Sequence, residues 1–148
     1  MAVVRRAAVI GTGTMGPGMG AVLARAGIET ALFDVSEEAL ERAKGVVTMA
    51  EGVLERLDAA SEDGGSLRFE TDLGAALEGA DFVLEAVPEK LELKQEVFPK
   101  FEAVVAPDAI LASNTSGIPI TKIAEVCAQP GRVVGMHWSN PPHLIPMI

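Results

Sequence analysis

Short apolar runs and longer amphipathic stretches take turns along the whole chain. Val3 and Val4, then Ala7, Ala8, Val9 and Ile10, form a small and β-branched run ending at a glycine. That is the pattern of a buried parallel strand. Residues 15–26, rich in Ala, Gly and Leu, read as a helix whose small side chains allow close packing on a sheet. Residues 29–34 are a second strand closing on Asp34. Ser36 reads as an N-cap ahead of Glu37 and Glu38, both favourable at a positive helix end. That helix is expected to reach about Leu57, with Leu40, Val47, Val53, Leu54 and Leu57 on its apolar side. A polar turn at 61–66 leads to a third strand at 67–70, a short helix at 73–78 and a fourth strand at 81–85. Residues 89–105 are predicted helical, with Leu91, Val97, Phe98, Phe101, Val104 and Val105 inward and Pro99 expected to kink or break the helix. A fifth strand at 109–113, a helix at 119–127 and a sixth strand at 132–137 follow, and 144–148 reads as a further strand. No repeat, low-complexity segment or long linker divides the sequence. Strands alternating with helices of this size predict one α/β domain over 1–148, doubly wound and mostly parallel, with helices on both faces.

The first strand runs into Gly11-Thr12-Gly13-Thr14-Met15-Gly16, which opens the first helix. Gly11 permits a tight turn, Gly13 lets a pyrophosphate approach the backbone, and Gly16 brings helix and strand together. Free N–H groups and the helix dipole then face the phosphates. The fold expected is therefore of the Rossmann type. Asp34 ends the next strand 18 residues after Gly16, where a carboxylate can accept from adenosine ribose hydroxyls. Val35 and Ser36 follow, with no arginine for a 2′-phosphate, so NAD is favoured over NADP. FAD uses the same fingerprint in much longer chains and ranks lower. The plainer reading of Asp34 is a helix cap.

Composition narrows the partners. Twelve basic against 21 acidic residues give a net charge of −9, which argues against nucleic acid. No uncharged apolar run reaches about 18 residues, so no membrane span is expected. The start lacks the long apolar region of a signal peptide, and a cytoplasmic setting is expected. The single cysteine, Cys127, lies in an apolar-periodic stretch and reads as a buried filler.

Ligands of open α/β sheets bind beyond the carboxyl ends of the strands. Residues 85–89, 113–116 and 137–140 all fall at or past such ends. His137 can take a hydroxyl proton near neutral pH. Ser116 can hydrogen-bond the same substrate oxygen, and Asn140 can bind a carboxamide or brace the loop. Singly, each has a plainer reading: a structural histidine, a turn before the Pro119 helix, a rigid Asn-Pro-Pro turn. His143, after two prolines, reads as a loop residue.

Ser113-Asn114-Thr115-Ser116, Gly135-Met136-His137, Asn140-Pro141 and the run from Asp81 to Glu89 together resemble the NAD-binding domain of the L-3-hydroxyacyl-CoA dehydrogenase family. The likeness covers essentially the whole chain. It implies that His137 is the catalytic base or acid and that Ser116 bonds the substrate oxygen beside the nicotinamide. Glu89, Lys94 and Asn140 would line the nicotinamide-ribose side. The cofactor contacts expected are Gly11, Gly13, Thr14, Met15, Gly16, Asp34, Ala86, Glu89, Lys94, Ser116 and Asn140. The reaction implied is NAD-dependent oxidation of a 3-hydroxyacyl-CoA to the 3-oxoacyl-CoA, as in fatty acid β-oxidation, in a protein that is a homodimer at full length.

Two departures qualify this. The family pairs its histidine with a glutamate twelve residues later, a position just past Ile148, and its helical second domain is absent from these residues. The chain by itself is expected to bind NAD and to turn over weakly or not at all. Relatives that handle CoA thioesters also carry a long insert with lysines after the second strand. Here residues 51–65 are short and acidic, with Glu51, Glu55, Asp58, Glu62 and Asp63 against Arg56. A polyphosphate is poorly served there. The alternatives are a dehydrogenase of a non-CoA hydroxy acid, such as a sugar acid or carnitine-like compound, and a non-catalytic dinucleotide-binding module. A β-hydroxyacid dehydrogenase shares the glycine start but places its catalytic lysine in a second domain.

Overall fold

The structure is a computed structural model in which residues 4–57 and 65–148 are described. Six strands form one sheet: β1 (Arg6–Ile10), β2 (Glu29–Phe33), β3 (Ser66–Glu70), β4 (Phe82–Glu85), β5 (Ile110–Ser113) and β6 (Val133–Gly135). All pairings are parallel, in the order β3-β2-β1-β4-β5-β6. The helices are α1 (Gly16–Arg25), α2 (Glu37–Arg56), α3 (Leu73–Leu77), α4 (Leu91–Glu102) and α5 (Ile120–Ala124).

Side chains alternate across a strand, and here both faces are covered. Ala7 and Val9 of β1, Leu32 of β2, Leu84 of β4 and Ala112 of β5 join Met19, Ala21, Val47 and Leu54 of α1 and α2 in one cluster. Ala8 and Ile10, Val83 and Leu111 join Leu77, Phe98, Phe101, Ile123 and Cys127 on the other face. Ser36 caps α2 by accepting from the Ala39 N–H at 3.2 Å. Asp72 caps α3 in the same way at 2.7 Å. Cys127 is the expected filler, and burial, with the Glu102 charge adding to it, pushes its thiol pKa up.

Several boundaries differ from the sequence expectation, each for a local reason. Pro99 does not break α4, which runs on to Glu102 because Phe98 and Phe101, fully buried with ring centroids 5.3 Å apart, hold its inner face. Val104 and Leu57, expected inside, are 46% and 58% exposed past the ends of their helices. The helix expected at 119–127 stops at Ala124, because the Glu102 carboxylate takes the Ala128 and Gln129 N–H groups at 2.7 and 2.8 Å. The sixth strand is only three residues long: it starts after a tight turn at Pro130–Arg132, and past Gly135 the Trp138 N–H turns to the Asn114 side chain at 2.8 Å. Residues 144–148 form no strand, since the Leu144 and Ile145 N–H groups both fold back to the Pro141 carbonyl. Val3 and most of the turn at 61–66, with Asp58, Glu62 and Asp63, lie outside the described residues. Among the described residues no helix is long and apolar enough to cross a membrane.

Candidate active site

The strand order reverses between β1 and β4, and the crevice of an open parallel sheet lies at that reversal. The ladder itself carries four loops out at one level. Gly11 donates to the Phe33 carbonyl at 2.8 Å, Ala86 to Ile10 at 2.8 Å, Asn114 to Glu85 at 2.9 Å and Met136 to Ser113 at 2.9 Å. Loops from β1, β4, β5 and β6 therefore leave the same edge of the sheet side by side. A cavity of about 790 Å³ lies between the segments that follow β1, β2, β4 and β5.

Gly11, Gly13, Thr14, Met15, Asp34, Ala86, Glu89, Lys94 and Ser116, all expected at the cofactor, line that cavity. Gly16 sits below it at the buried start of α1. The glycines divide by task. Gly11 has φ +107°, and a Cβ there would lie 2.6 Å from the Ala86 carbonyl oxygen. A Cβ on Gly16 would lie 2.0 Å from the Gly11 oxygen, so helix and loop touch through backbone alone. A Cβ on Gly13 would meet nothing within 4 Å. Open space therefore faces the backbone where a pyrophosphate belongs, and the residues present fit a dinucleotide.

Asp34 lies just past β2 and reaches back across the crevice. Its Oδ2 accepts from the Thr12 N–H at 3.0 Å and the Thr12 hydroxyl at 2.8 Å, and its Oδ1 accepts from the Ser36 N–H at 3.1 Å. Ser36, not Asp34, caps the helix. Val35 is 85% exposed beside it, with no cation in that position.

The other wall sets two charged side chains, Glu89 and Lys94, among apolar ones such as Val87, Leu93 and Val97. Glu85 ends β4 with no exposure, and Lys94 projects from α4 at 1% exposure. The Lys94 ammonium bonds both Glu85 oxygens, at 2.7 and 2.9 Å. The Ser113 hydroxyl and the Val87 N–H also donate to Glu85, at 2.5 and 2.8 Å. Lys94 reaches outward as well, 3.2 Å from the Glu89 carboxylate. Partial burial pushes the Glu89 carboxyl upward, but bonds from Thr115, Gly117 and Lys94 and the Lys94 charge hold its pKa down at about 2.

Ser116 is exposed on the cavity wall, and its Oγ lies 3.0 Å from His137 Nε2. His137 follows β6, and its neighbour Trp138, 5% exposed, is rooted in the core. His137 and Asn140 do not themselves line the cavity; His137 meets it through Ser116, and Asn140 stands exposed two residues past Trp138. His143 lies in the turn that follows, as expected. An imidazole and a hydroxyl in this relation can both bond an oxygen placed within reach of each, the imidazole taking or giving its proton.

Five residues of this architecture were given no role by the sequence reading: Thr12, Glu85, Ser113, Asn114 and Trp138. A carboxylate closing the apolar run Phe82-Val83-Leu84 was a usable signal, because a buried acid demands a partner.

A family model described as 3-hydroxyacyl-CoA dehydrogenase, NAD binding domain, matches residues 6–148. The 5-formyl-3-hydroxy-2-methylpyridine 4-carboxylate 5-dehydrogenase of Mesorhizobium japonicum is 50% identical over 147 residues, 98% of this chain and 48% of that protein. A probable 3-hydroxybutyryl-CoA dehydrogenase of Deinococcus radiodurans is 38% identical over 144 residues, 95% of this chain and 51% of its own length. A crystal structure of a 5-formyl-3-hydroxy-2-methylpyridine 4-carboxylic acid 5-dehydrogenase, an NAD+-dependent dismutase, matches at TM-score 0.96 and 49% identity, covering 99% of this chain and 48% of that one. The chain spans about half the length of these relatives.

Proposed function

This chain belongs to the 3-hydroxyacyl-CoA dehydrogenase family through its NAD-binding domain, and on that premise we propose that it forms the cofactor side and proton-transfer pair of an NAD-dependent dehydrogenase. The observation that carries the reading is the 3.0 Å approach of His137 Nε2 to Ser116 Oγ on the wall of the dinucleotide cavity. NAD, when bound, accepts the hydride from the carbon being oxidised. His137 takes the proton of the hydroxyl on that carbon, and the O–H electron pair becomes the second bond of the carbonyl. Ser116 hydrogen-bonds the same oxygen and keeps it in line. Gly11, Gly13, Thr14, Met15 and Gly16 cradle the pyrophosphate, Asp34 takes the adenosine ribose, and Ala86, Glu89 and Lys94 border the nicotinamide ribose. A second domain, as the resemblance implies, completes the substrate pocket and the dimer contact.

For the substrate, a compact carboxylate oxidised at a hydroxyl or hydrated aldehyde carbon is the favoured reading. Support comes from 50% identity to the pyridine-carboxylate dehydrogenase against 38% to the hydroxybutyryl-CoA enzyme. The exposed Glu51 and Glu55 on α2 add to it, since carboxylates there disfavour a polyphosphate. An acyl-CoA substrate, the first expectation from the sequence, is the second reading and rests on the family match itself. A panel tests both in the full-length protein: NADH formation with free hydroxy and formyl carboxylates, and NADH consumption with acetoacetyl-CoA. Turnover of a free carboxylate with none of the thioester supports the first reading. The reverse result supports the second. NADH binding with no turnover of either returns the protein to a dinucleotide-binding module.

A further inference from the structure

We propose that Glu89 is a positioning residue for proton transfer: its carboxylate, held by Lys94, fixes the turn at 115–117 so that Ser116 presents its hydroxyl to His137. The inference rests on the proposed pairing of Ser116 with His137. It adds a residue that acts through that pair, bonding the Ser116 backbone but neither the Ser116 hydroxyl nor the imidazole.

Three donors converge on a single oxygen. Glu89 Oε1 accepts from the Thr115 hydroxyl at 2.5 Å, the Ser116 N–H at 3.0 Å and the Gly117 N–H at 3.1 Å. The clamp uses the backbone of Ser116 and leaves its hydroxyl free for the imidazole. Thr115 is tied on its other sides too: its hydroxyl accepts from the Ile118 N–H at 3.0 Å, and its own N–H donates to Ser113 Oγ at 3.3 Å. Ser113 in turn donates to Glu85, the buried partner of Lys94. The turn is therefore held from outside by Glu89 and from inside by Ser113. Both holds lead back to the one Lys94 ammonium, which is fixed in the core.

A ribose-binding role alone accounts poorly for this arrangement. A carboxylate oxygen offers about two lone-pair sites, and Oε1 already receives three donors from the protein. Oε2 faces Lys94 at 3.2 Å. The ionised state of Glu89 persists far below neutral pH, consistent with a permanent clamp.

The test compares Glu89→Ala with wild type in the full-length protein. Amide hydrogen exchange is read at Ser116 and Gly117, with Val83 and Phe98 as core controls; the His137 imidazole is followed by nitrogen NMR, and NADH affinity by titration. The clamp predicts exchange at Ser116 and Gly117 faster by about tenfold or more, the effect of losing charged hydrogen bonds. It predicts a changed His137 imidazole spectrum and unchanged core protection, with NADH affinity falling less than kcat. Turnover of the accepted panel compound should lose kcat with little change in KM. If the core controls also loosen, Glu89→Gln, which keeps an acceptor oxygen and drops the charge facing Lys94, must give a smaller loss of Ser116 and Gly117 protection with an intact core. Unchanged protection of both amides, or weaker NADH binding as the sole consequence, overturns the proposal. Retained turnover in His137→Gln would instead remove the functional reading while the exchange result still decided the clamp.

Discussion

The two walls of the crevice are built by different means. On the β1–β2 side the ligand surface is backbone: a turn at Gly11, open space at Gly13, contact at Gly16, and one carboxylate, Asp34, braced by Thr12. On the β4–β6 side it is a chain of side chains running from buried Glu85 through Lys94, Glu89 and the 115–117 turn to Ser116 and His137. The first wall needs absence of atoms, so its residues are small. The second, on the proposed reading, holds a proton-transferring group in place, and the charges behind it satisfy one another. A backbone wall should fail by obstruction at single positions. A side-chain wall should fail by propagation.

The largest expected effect is on the second wall. Lys94→Met strips Glu85 of its ammonium and leaves a fully buried carboxylate with only a hydroxyl and one N–H. Loss of one partner of a buried pair costs about 3–5 kcal/mol. Chemical denaturation should register that loss, and a change below about 1 kcal/mol, the scale of an exposed ion pair, would erase the contrast between the walls. On the first wall Gly16→Ala drives a Cβ to within 2.0 Å of the Gly11 oxygen. About 2–3 kcal/mol of stability should go, together with NADH binding. Gly13→Ala is the sharper probe, because its Cβ meets no protein atom. The melting temperature should hold, while NADH affinity drops about tenfold or more, at least 1.4 kcal/mol. Equal losses of fold and binding there would mean that Gly13 is structural.

The smallest effect concerns pH. Glu89 has its folded pKa lowered to about 2 from 4.5, so its stabilising contribution is complete above 4.5. The contribution declines as acid titrates the unfolded chain and is gone below about 2. Because the side chain is 45% exposed, solvent screens much of it. Protection of the Ser116 amide should persist at pH 3.5 and vanish as the pH approaches 2; loss already near 4.5 would mean that the clamp is not charged as described.

The fold was legible where burial is periodic or a cap is local. Ser36 placed the start of α2, and the runs ending at Ile10, Phe33, Glu85 and Ser113 placed four parallel strands. Element ends decided by distant partners were not legible. α5 is cut short by Glu102, and β6 by Asn114, 26 and 24 residues away in sequence. The backbone wall could be read from glycine spacing alone, because each glycine's task is set by its neighbours in the chain. The side-chain wall could not. Lys94 was named through resemblance as a cofactor contact, yet its ammonium is committed to Glu85, a pairing visible only once α4 lies under β4. His137 and Ser116 were both named, but the contact between them depends on Trp138 entering the core and turning the chain after β6.

One measurement bears most directly on the account: NADH affinity and NAD-dependent turnover of His137→Gln in the full-length protein, side by side with wild type. If the imidazole moves the proton and leaves cofactor binding to the other groups, turnover falls by roughly 10²–10⁴-fold while NADH affinity stays within about threefold. Turnover at the wild-type level, or affinity collapsing in step with turnover, would contradict it.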